Sequence, residues 1–224
     1  MSVPHADSLF FRTLEPPEGW EEAGREAVAA SQRARMLDAV VRAVGDRGYA
    51  NATVADIVGL AGVSRRTFYE HFDDKQDCFL AAYRTGVAVV IERVVATTAA
   101  TPEDDWRERL RVGLAAYTAV LADHATFART LLIDVLGAGR EAVELRQRLY
   151  EQFVALFHTL SERAAAIDPA IAPVPDVFLR AVVGGIGELV QQHILSEGAE
   201  SLEELTPTLV KVAETVIEFG GRRA

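Results

Sequence analysis

Apolar residues recur along this chain with the 3.6-residue period of an α-helix. The first firm helix covers about residues 31–47, and its inner face carries Met36, Leu37, Val40, Val41 and Val44. A long helix runs from about Lys75 towards Thr98, and later helices lie near 103–122, 126–137, 139–166, 175–197 and 202–219. No useful length of sequence alternates apolar and polar residues as a strand does. The pattern therefore predicts an all-α fold of about nine helices.

Residues 53–75 read as two short helices joined by a glycine. Thr53 is the predicted N-cap of the first helix, and Asp56 completes a capping box. Gly62 ends that helix because glycine adopts the left-handed conformation without a steric penalty, and Ser64 then caps the second helix. A helix-turn-helix of this kind places its second helix in a groove of DNA.

The second short helix buries Phe68 and leaves hydrogen-bond donors on its outer surface. The exposed set is Ser64, Arg65, Arg66, Thr67, Tyr69 and His71. An arginine near the amino end of such a helix can bond to guanine O6 and N7 together. Adjacent helical residues point about 100° apart, so we expect one arginine of Arg65 and Arg66 to read a base and the other to bind phosphate. The alternative is an ordinary solvated amphipathic helix.

The same stretch resembles the amino-terminal signature of the tetracycline-repressor (TetR) family of bacterial transcription regulators, over roughly residues 33–83. The matching positions are Gly48-Tyr49, Thr53-Val54, Asp56-Ile57, Ala61-Gly62-Val63-Ser64, Thr67-Phe68-Tyr69-Glu70-His71-Phe72 and Lys75. The resemblance implies that Tyr69, His71 and Lys75 hold the DNA backbone, with Thr53 reaching phosphate from the first helix. For Tyr69 and His71 the alternative is packing on neighbouring helices. The resemblance also implies an all-helical body whose ligand releases DNA.

Three domains are predicted along the chain. They are a largely flexible amino-terminal extension (1–30), a helix-turn-helix DNA-binding domain (31–76) and a larger effector-binding and dimerisation domain (77–224). The extension has a net charge of −4, so it lacks the positive charge of arms that enter the minor groove. Within it, Trp20 is expected to anchor an early turn against the body.

The net charge of −10 is distributed unevenly. Residues 31–72 hold six arginines against four carboxylates, a local net of +2, which leaves −12 for the remainder. Only the local surface meets phosphate within a Debye length of ~8 Å at physiological salt. An acidic protein can therefore still bind DNA through this region.

One helix-turn-helix covers few base pairs, so a two-fold dimer on a palindromic operator is expected to supply the remaining specificity. The last two helices are more apolar than packing within a thin bundle requires, and Gly184, Gly185 and Gly187 in the first of them would let another backbone approach closely. The predicted interface residues are Phe178, Val182, Gly185, Ile186, Leu189, Leu209, Val212 and Val216.

The larger domain mixes aromatic residues with isolated polar groups, a composition that suits a mainly apolar ligand pocket. The predicted lining is Tyr83, Trp106, Tyr117, Phe127, Arg129, Phe153, Phe157 and His158. For any single one of these residues the alternative is core packing. Together with the motif, they predict a ligand-responsive repressor released from its operator by a small, mainly apolar effector.

The rival hypothesis is a helical enzyme or metal protein that uses two i, i+4 pairs, His158 with Glu162 and His193 with Glu197. Di-metal bundles use a different Glu-x-x-His spacing, and no hydrolase or metalloprotease motif occurs in the sequence. We therefore expect no enzyme activity, no cofactor and no metal.

The remaining composition bears on compartment. The single cysteine, Cys78, excludes an internal disulfide framework and suits a reducing environment. No apolar stretch reaches the ~20 residues that a membrane span requires. No secretion signal is recognised at the amino terminus, so we expect a cytoplasmic protein without a membrane partner.

Overall fold

The computed structural model describes residues 9–10 and 24–220. Within these residues it contains helices and no strand, which confirms the predicted all-α fold. The α-helices are α1 (Gly24–Arg47), α2 (Val54–Ala61), α3 (Arg65–His71), α4 (Lys75–Ala99), α5 (Trp106–Asp123), α6 (Ala125–Leu132), α7 (Arg140–Ile167), α8 (Asp176–Ser196) and α9 (Thr206–Gly220). Two 3₁₀ turns, Asp134–Gly137 and Leu202–Leu205, precede α7 and α9. None of these helices combines the length and apolarity needed to cross a membrane.

Two predicted helix starts are wrong. α1 begins at Gly24 rather than near residue 31, because the alanine-rich residues 27–30 favour helix strongly. α5 begins at Trp106 rather than 103, because Asp105 acts as its N-cap and accepts the backbone N–H of Glu108 at 2.9 Å.

The described part of the amino-terminal extension does not fit the expectation of a largely flexible 1–30 segment. The side chains of Leu9 and Phe10 are 4% and 2% exposed, so they belong to the core. Residues 24–30 are helical. The predicted anchor Trp20 lies outside the described residues.

The chain forms two compact units. The first consists of the described residues up to Val89 together with Thr126–Leu145. In it, α1 packs along α2, and Nη1 of Arg35 donates to the carbonyl of Ala61 at 3.0 Å. Its fully buried side chains include Met36, Val40, Val44, Ile57, Phe68 and Phe79. The predicted domain boundary at residue 76 therefore falls inside this unit.

The second unit consists of Val90–Ala125 and the described residues from Arg146 onward. In it, α5 and α8 both pack against α9. The hydroxyls of Thr118 in α5 and Thr206 in α9 lie 2.7 Å apart. Its fully buried side chains include Trp106, Leu121, Leu179, Val190, Leu209 and Ile217.

Lys75 fastens the start of α4 to the loop that follows α1. Its Nζ donates to the carbonyl of Tyr49 at 2.6 Å and to the carbonyl of Ala52 at 2.9 Å. The ammonium also lies 4.3 Å from the centre of the Tyr49 ring. Burial raises the pKa of the Tyr49 phenol, so the ring that faces the ammonium stays neutral at physiological pH.

We predict that Lys75→Gln lowers the free energy of unfolding by about 1–3 kcal/mol without any DNA present, because two hydrogen bonds from a charged donor are lost. Urea denaturation measures the change. Arg84→Gln removes an exposed cation from the same helix and is the matched control, with an expected change within ~0.5 kcal/mol. Equal unfolding midpoints for Lys75→Gln and Arg84→Gln would contradict the fastening role.

Candidate nucleic-acid interface

The amino end of α2 is built as the sequence predicts. Thr53 is its N-cap and accepts the backbone N–H of Asp56 at 3.2 Å, while the Asp56 carboxylate accepts the backbone N–H of Thr53 at 2.9 Å. The Thr53 hydroxyl also donates to that carboxylate at 2.7 Å. These bonds from Thr53 lower the pKa of Asp56, with a smaller contribution from the nearby charge of Arg47. The Thr53 hydroxyl proton is therefore engaged within the chain.

The turn between α2 and α3 is set by one glycine and one serine. Gly62 has φ +63, the left-handed conformation that a Cβ would disfavour, and its N–H bonds to the carbonyl of Val58. Ser64 then caps α3 by accepting the backbone N–H of Thr67 at 3.0 Å. Both predicted caps are confirmed, so the start of α3 is fixed relative to the end of α2.

Two phenylalanines attach α3 to its unit. Phe68 is fully buried and Phe72 is 2% exposed, and their ring centres lie 5.7 Å apart. The guanidinium of Arg33 on α1 lies 4.6 Å over the Phe72 ring. Because these two rings point inward, the opposite face of α3 is left to solvent.

The two arginines on the outer face differ in their partners. Arg66 forms an i, i+4 ion pair, with its Nε 3.0 Å from Oε1 of Glu70. Arg65 is exposed and makes no hydrogen bond or ion pair with any residue the structure describes. Of the two arginines, Arg65 therefore has an uncommitted guanidinium within the described residues, and Arg66 is held by a neighbouring carboxylate.

The other predicted DNA-facing residues also contact neighbouring side chains within the chain. Tyr69 is 58% exposed, and its ring also meets Phe68 edge-on at 5.4 Å. His71 is half-buried with its ring 6.3 Å from that of Phe72. The hydroxyls of Ser64 and Thr67 lie 2.9 Å apart. Ser64, Thr67, Thr53 and Lys75 thus stabilise the local structure of the motif. Any contact that they make with DNA is additional to this role.

The eight residues predicted to line a pocket divide between the two units. Tyr83, Phe127 and Arg129 belong to the first unit, and the second contains Trp106, Tyr117, Phe153, Phe157 and His158. Tyr83 and Phe127 are buried, whereas Arg129 is exposed, with its Nε 4.0 Å from Asp134. The pocket itself stays a prediction.

Within the second unit the aromatic residues pack against one another and against the core. The rings of Tyr117 and Phe153 meet edge-on at 6.0 Å. Trp106 is 2% exposed, and the guanidinium of Arg107 lies 4.4 Å from its ring centre. Phe153 and Phe157 lie against a buried cluster formed by Val154, Val174, Leu179 and Val183. This part of the unit is therefore mainly apolar.

The predicted dimer residues differ in exposure within one chain. Phe178 is 48% exposed. Half-buried positions are Gly185, Leu189, Val212 and Val216. Val182, Ile186 and Leu209 are buried within the single chain, so they belong to its core. The interface stays a prediction, and the outward-facing residues are the ones that can contribute to it.

The two His/Glu pairs of the rival hypothesis have other partners. Nε2 of His158 lies 2.9 Å from the Asp176 carboxylate rather than against Glu162, and this contact is the main cause of a lowered pKa at Asp176. Nε2 of His193 lies 2.8 Å from the Ser201 hydroxyl, with Glu197 at 3.8 Å from Nδ1. Among the described residues no group of three or more histidine, cysteine or carboxylate side chains has the arrangement of a metal site.

Two ion pairs of the motif were not predicted from the sequence. The i, i+4 spacing of Arg66 and Glu70 is visible in the sequence and predicts their ion pair. The pairing of Arg47 with Asp56 at 3.4 Å is a contact between α1 and α2, and spacing along the chain gives no sign of it.

Comparison with known proteins agrees with this geometry. Residues 36–82 match the family model described as bacterial regulatory proteins, tetR family. The chain is 30% identical over 101 residues to the HTH-type transcriptional activator FasR of Mycolicibacterium smegmatis, an alignment that spans 45% of each protein. It is 25% identical over 123 residues to the fatty acid metabolism regulator protein of Bacillus subtilis, covering 52% of this chain and 58% of the relative. The chain thus matches about half the length of these curated relatives.

Solved structures share the overall fold. The transcriptional regulator FadR from Bacillus subtilis, solved in complex with stearoyl-CoA, superposes with a TM-score of 0.72 at 17% identity, covering 83% of this chain and 97% of that one. The fatty acid degradation regulator FadR from Bacillus halodurans gives a TM-score of 0.71 at 16% identity, covering 86% and 97%. The capped helix-turn-helix of α2 and α3 lies within residues 36–82, the part of this chain that matches the tetR family of bacterial regulatory proteins.

Proposed function

We propose that this protein is a cytoplasmic, dimeric transcriptional repressor that reads a palindromic operator with α3 and leaves it when a long-chain acyl ligand binds. The observation that carries the DNA-binding part is the outer face of α3. There, an uncommitted Arg65 stands at the first turn of a helix whose start is capped by Ser64 and whose inner face is held by Phe68.

Arg65 is the proposed base reader and Arg66 the proposed phosphate contact. A base contact needs a guanidinium that is free to present both donors to guanine, and Arg65 is free in this sense within the described chain. Arg66 is paired with Glu70, so its contact with phosphate exchanges one carboxylate partner for another anion. The sequence alone leaves this choice open, and the difference in partners supports the proposed assignment.

The proposed dimer rests on apolar side chains that one chain leaves exposed. Val177 is 67% exposed and Leu195 is 58% exposed, and both lie on α8. Their separation of eighteen residues is five full turns, so they share one face of the helix. Ala181, Gly184 and Glu188 are the exposed residues along that same face. A second copy covering this face would form the two-fold dimer that a palindromic site requires.

The proposed ligand class comes from the relatives and from the character of the second unit. Two relatives are named for fatty acid metabolism or degradation, and a structure with the same fold holds stearoyl-CoA. In this chain, Phe153 and Phe157 are half-buried beside an apolar cluster, which suits an acyl chain. One relative is named an activator, and the same DNA-binding activity represses where the operator overlaps the promoter. We propose repression for this chain.

We predict that alanine substitutions of the two arginines affect DNA binding differently. Arg65→Ala should lose about 1–3 kcal/mol of discrimination between operator and random DNA for each half-site, because the base contact is gone. Arg66→Ala should weaken binding to both DNAs equally and lower the slope of log affinity against log salt by about 1 per subunit. Fluorescence anisotropy over a salt series measures both quantities.

The matched controls for this experiment are two carboxylate variants. Glu70→Gln releases Arg66 and should strengthen binding to every sequence. Glu144→Gln breaks an equally exposed i, i+4 pair, in which Arg140 Nε lies 2.7 Å from Glu144 Oε1, and should leave DNA affinity unchanged. If Arg66→Ala removes discrimination while Arg65→Ala retains it, the assignment is reversed. If neither variant alters binding, α3 does not contact DNA.

We predict that a long-chain acyl ligand lowers operator affinity at least tenfold. The ligand must bind the DNA-free state more tightly than the DNA-bound state to have this effect. Stearoyl-CoA, stearate and free coenzyme A are titrated separately against the protein–operator complex, below the micelle concentration of each lipid. Release by both lipids points to the acyl chain alone, and release by stearoyl-CoA alone points to the whole thioester.

Thermal unfolding provides the control for that titration. A lipid that binds the native fold raises the unfolding temperature, whereas a detergent effect lowers it. If neither lipid releases DNA and neither raises the unfolding temperature, the proposed ligand class is wrong, although the DNA-binding proposal still stands.

A further inference from the structure

The amino-terminal residues Leu9 and Phe10 occupy a defined place in the first unit. Both side chains are almost completely buried. The Phe10 ring meets the Phe127 ring of α6 edge-on, with ring centres 6.1 Å apart and an interplanar angle of 89°. This is the favourable perpendicular geometry of an aromatic pair, and it joins two residues more than a hundred positions apart in sequence.

The Phe127 ring also lies close to the backbone of α4. A Cβ added at Gly86 would lie 2.1 Å from the Cε2 and Cζ atoms of the Phe127 ring. No side chain larger than hydrogen fits at Gly86 while the ring keeps this position. Phe127 therefore contacts Gly86 of α4 and Phe10 of the amino-terminal segment.

The residue before Phe127 makes a second close approach, to α1. A Cβ added at Gly45 would lie 2.7 Å from the Cγ2 atom of Thr126. The amino end of α6 thus rests on two glycines, one in α1 and one in α4. Its position is fixed by shape, because both glycines leave room for side chains of α6.

The rest of this segment carries buried polar atoms that lack hydrogen bonds. Among the described residues the Thr130 hydroxyl and Oδ2 of Asp134 have no hydrogen-bond partner, although Nε of Arg129 lies 4.0 Å from that carboxylate oxygen. Burying such groups unpaired costs free energy. α6 has only eight residues, too few to be stable on its own helix propensity. Packing of its buried apolar side chains, which include Phe127, Ala128, Leu131 and Leu132, must therefore hold the segment in place.

We propose that Leu9–Phe10 is a strap that holds α6 on α1 and α4, the helices before and after the DNA-binding motif. Phe10 is its positioning residue. Phe10 contacts the same Phe127 ring that packs on Gly86, and through that ring it stabilises the position of α6 on α1 and α4. Losing the strap frees residues 126–137 to open locally while the rest of the fold stays closed. This inference concerns the free chain and does not depend on the proposed function.

Native-state hydrogen exchange tests the strap without DNA or ligand. In Phe10→Ala, amides in residues 126–137 should exchange about tenfold faster or more than in the full wild-type chain, because local opening loses its aromatic contact. Amides of α2 in the same unit, and of α9 in the other, should change less than twofold. Phe10→Leu, which keeps an apolar side chain, should give a smaller acceleration at the same peptides.

The matched control is Val28→Ala, which truncates an apolar side chain that is 56% exposed on α1 and should leave exchange unchanged. The strap is contradicted if residues 126–137 exchange at the wild-type rate in both Phe10 variants. It is equally contradicted if α2, α9 and residues 126–137 all accelerate together, since Phe10 would then be an ordinary core residue. If Phe10→Ala does not fold, Phe10→Leu alone decides between these outcomes.

Discussion

The burial of Phe68 is the constraint on which the candidate interface depends. α3 has seven residues, so it cannot hold its own conformation or orientation in water. Phe68 has no exposed surface, which fixes the rotation of the helix about its axis. Arg65, Arg66 and Tyr69 point outward as a consequence. The caps at Thr53 and Ser64 then fix where the two motif helices begin.

Local chemistry explains why the motif was predictable from the sequence. A capping box, a left-handed glycine and a serine N-cap each depend on residues within four positions of one another, and all of them occur at the predicted positions. The predicted start of α5 is too early because Asp105 rather than a residue near 103 provides the cap. Whether a predicted helix start is correct thus depends on which nearby side chain accepts the free backbone N–H groups at that end.

Long-range packing was not predictable in the same way. Leu9 and Phe10 look like part of a mobile tail because the prolines and carboxylates around them favour disorder, and only the contact with Phe127 reveals their burial. Phe127 is predicted to line a ligand pocket, and that role stays a prediction. Its close approach to Gly86 is a long-range contact that the sequence pattern does not indicate. The identity of an effector depends on cavity shape, which residue spacing does not encode.

We propose that two copies of α3 read one palindromic DNA site. Selection of bound sequences from a randomised DNA pool by the purified full chain tests this most directly. We predict enrichment of an inverted repeat whose half-sites lie about one helical turn of DNA apart, ~34–36 Å or somewhat more, bound by two chains. Recovery of unenriched DNA, or of a single half-site bound by one chain, would contradict the claim.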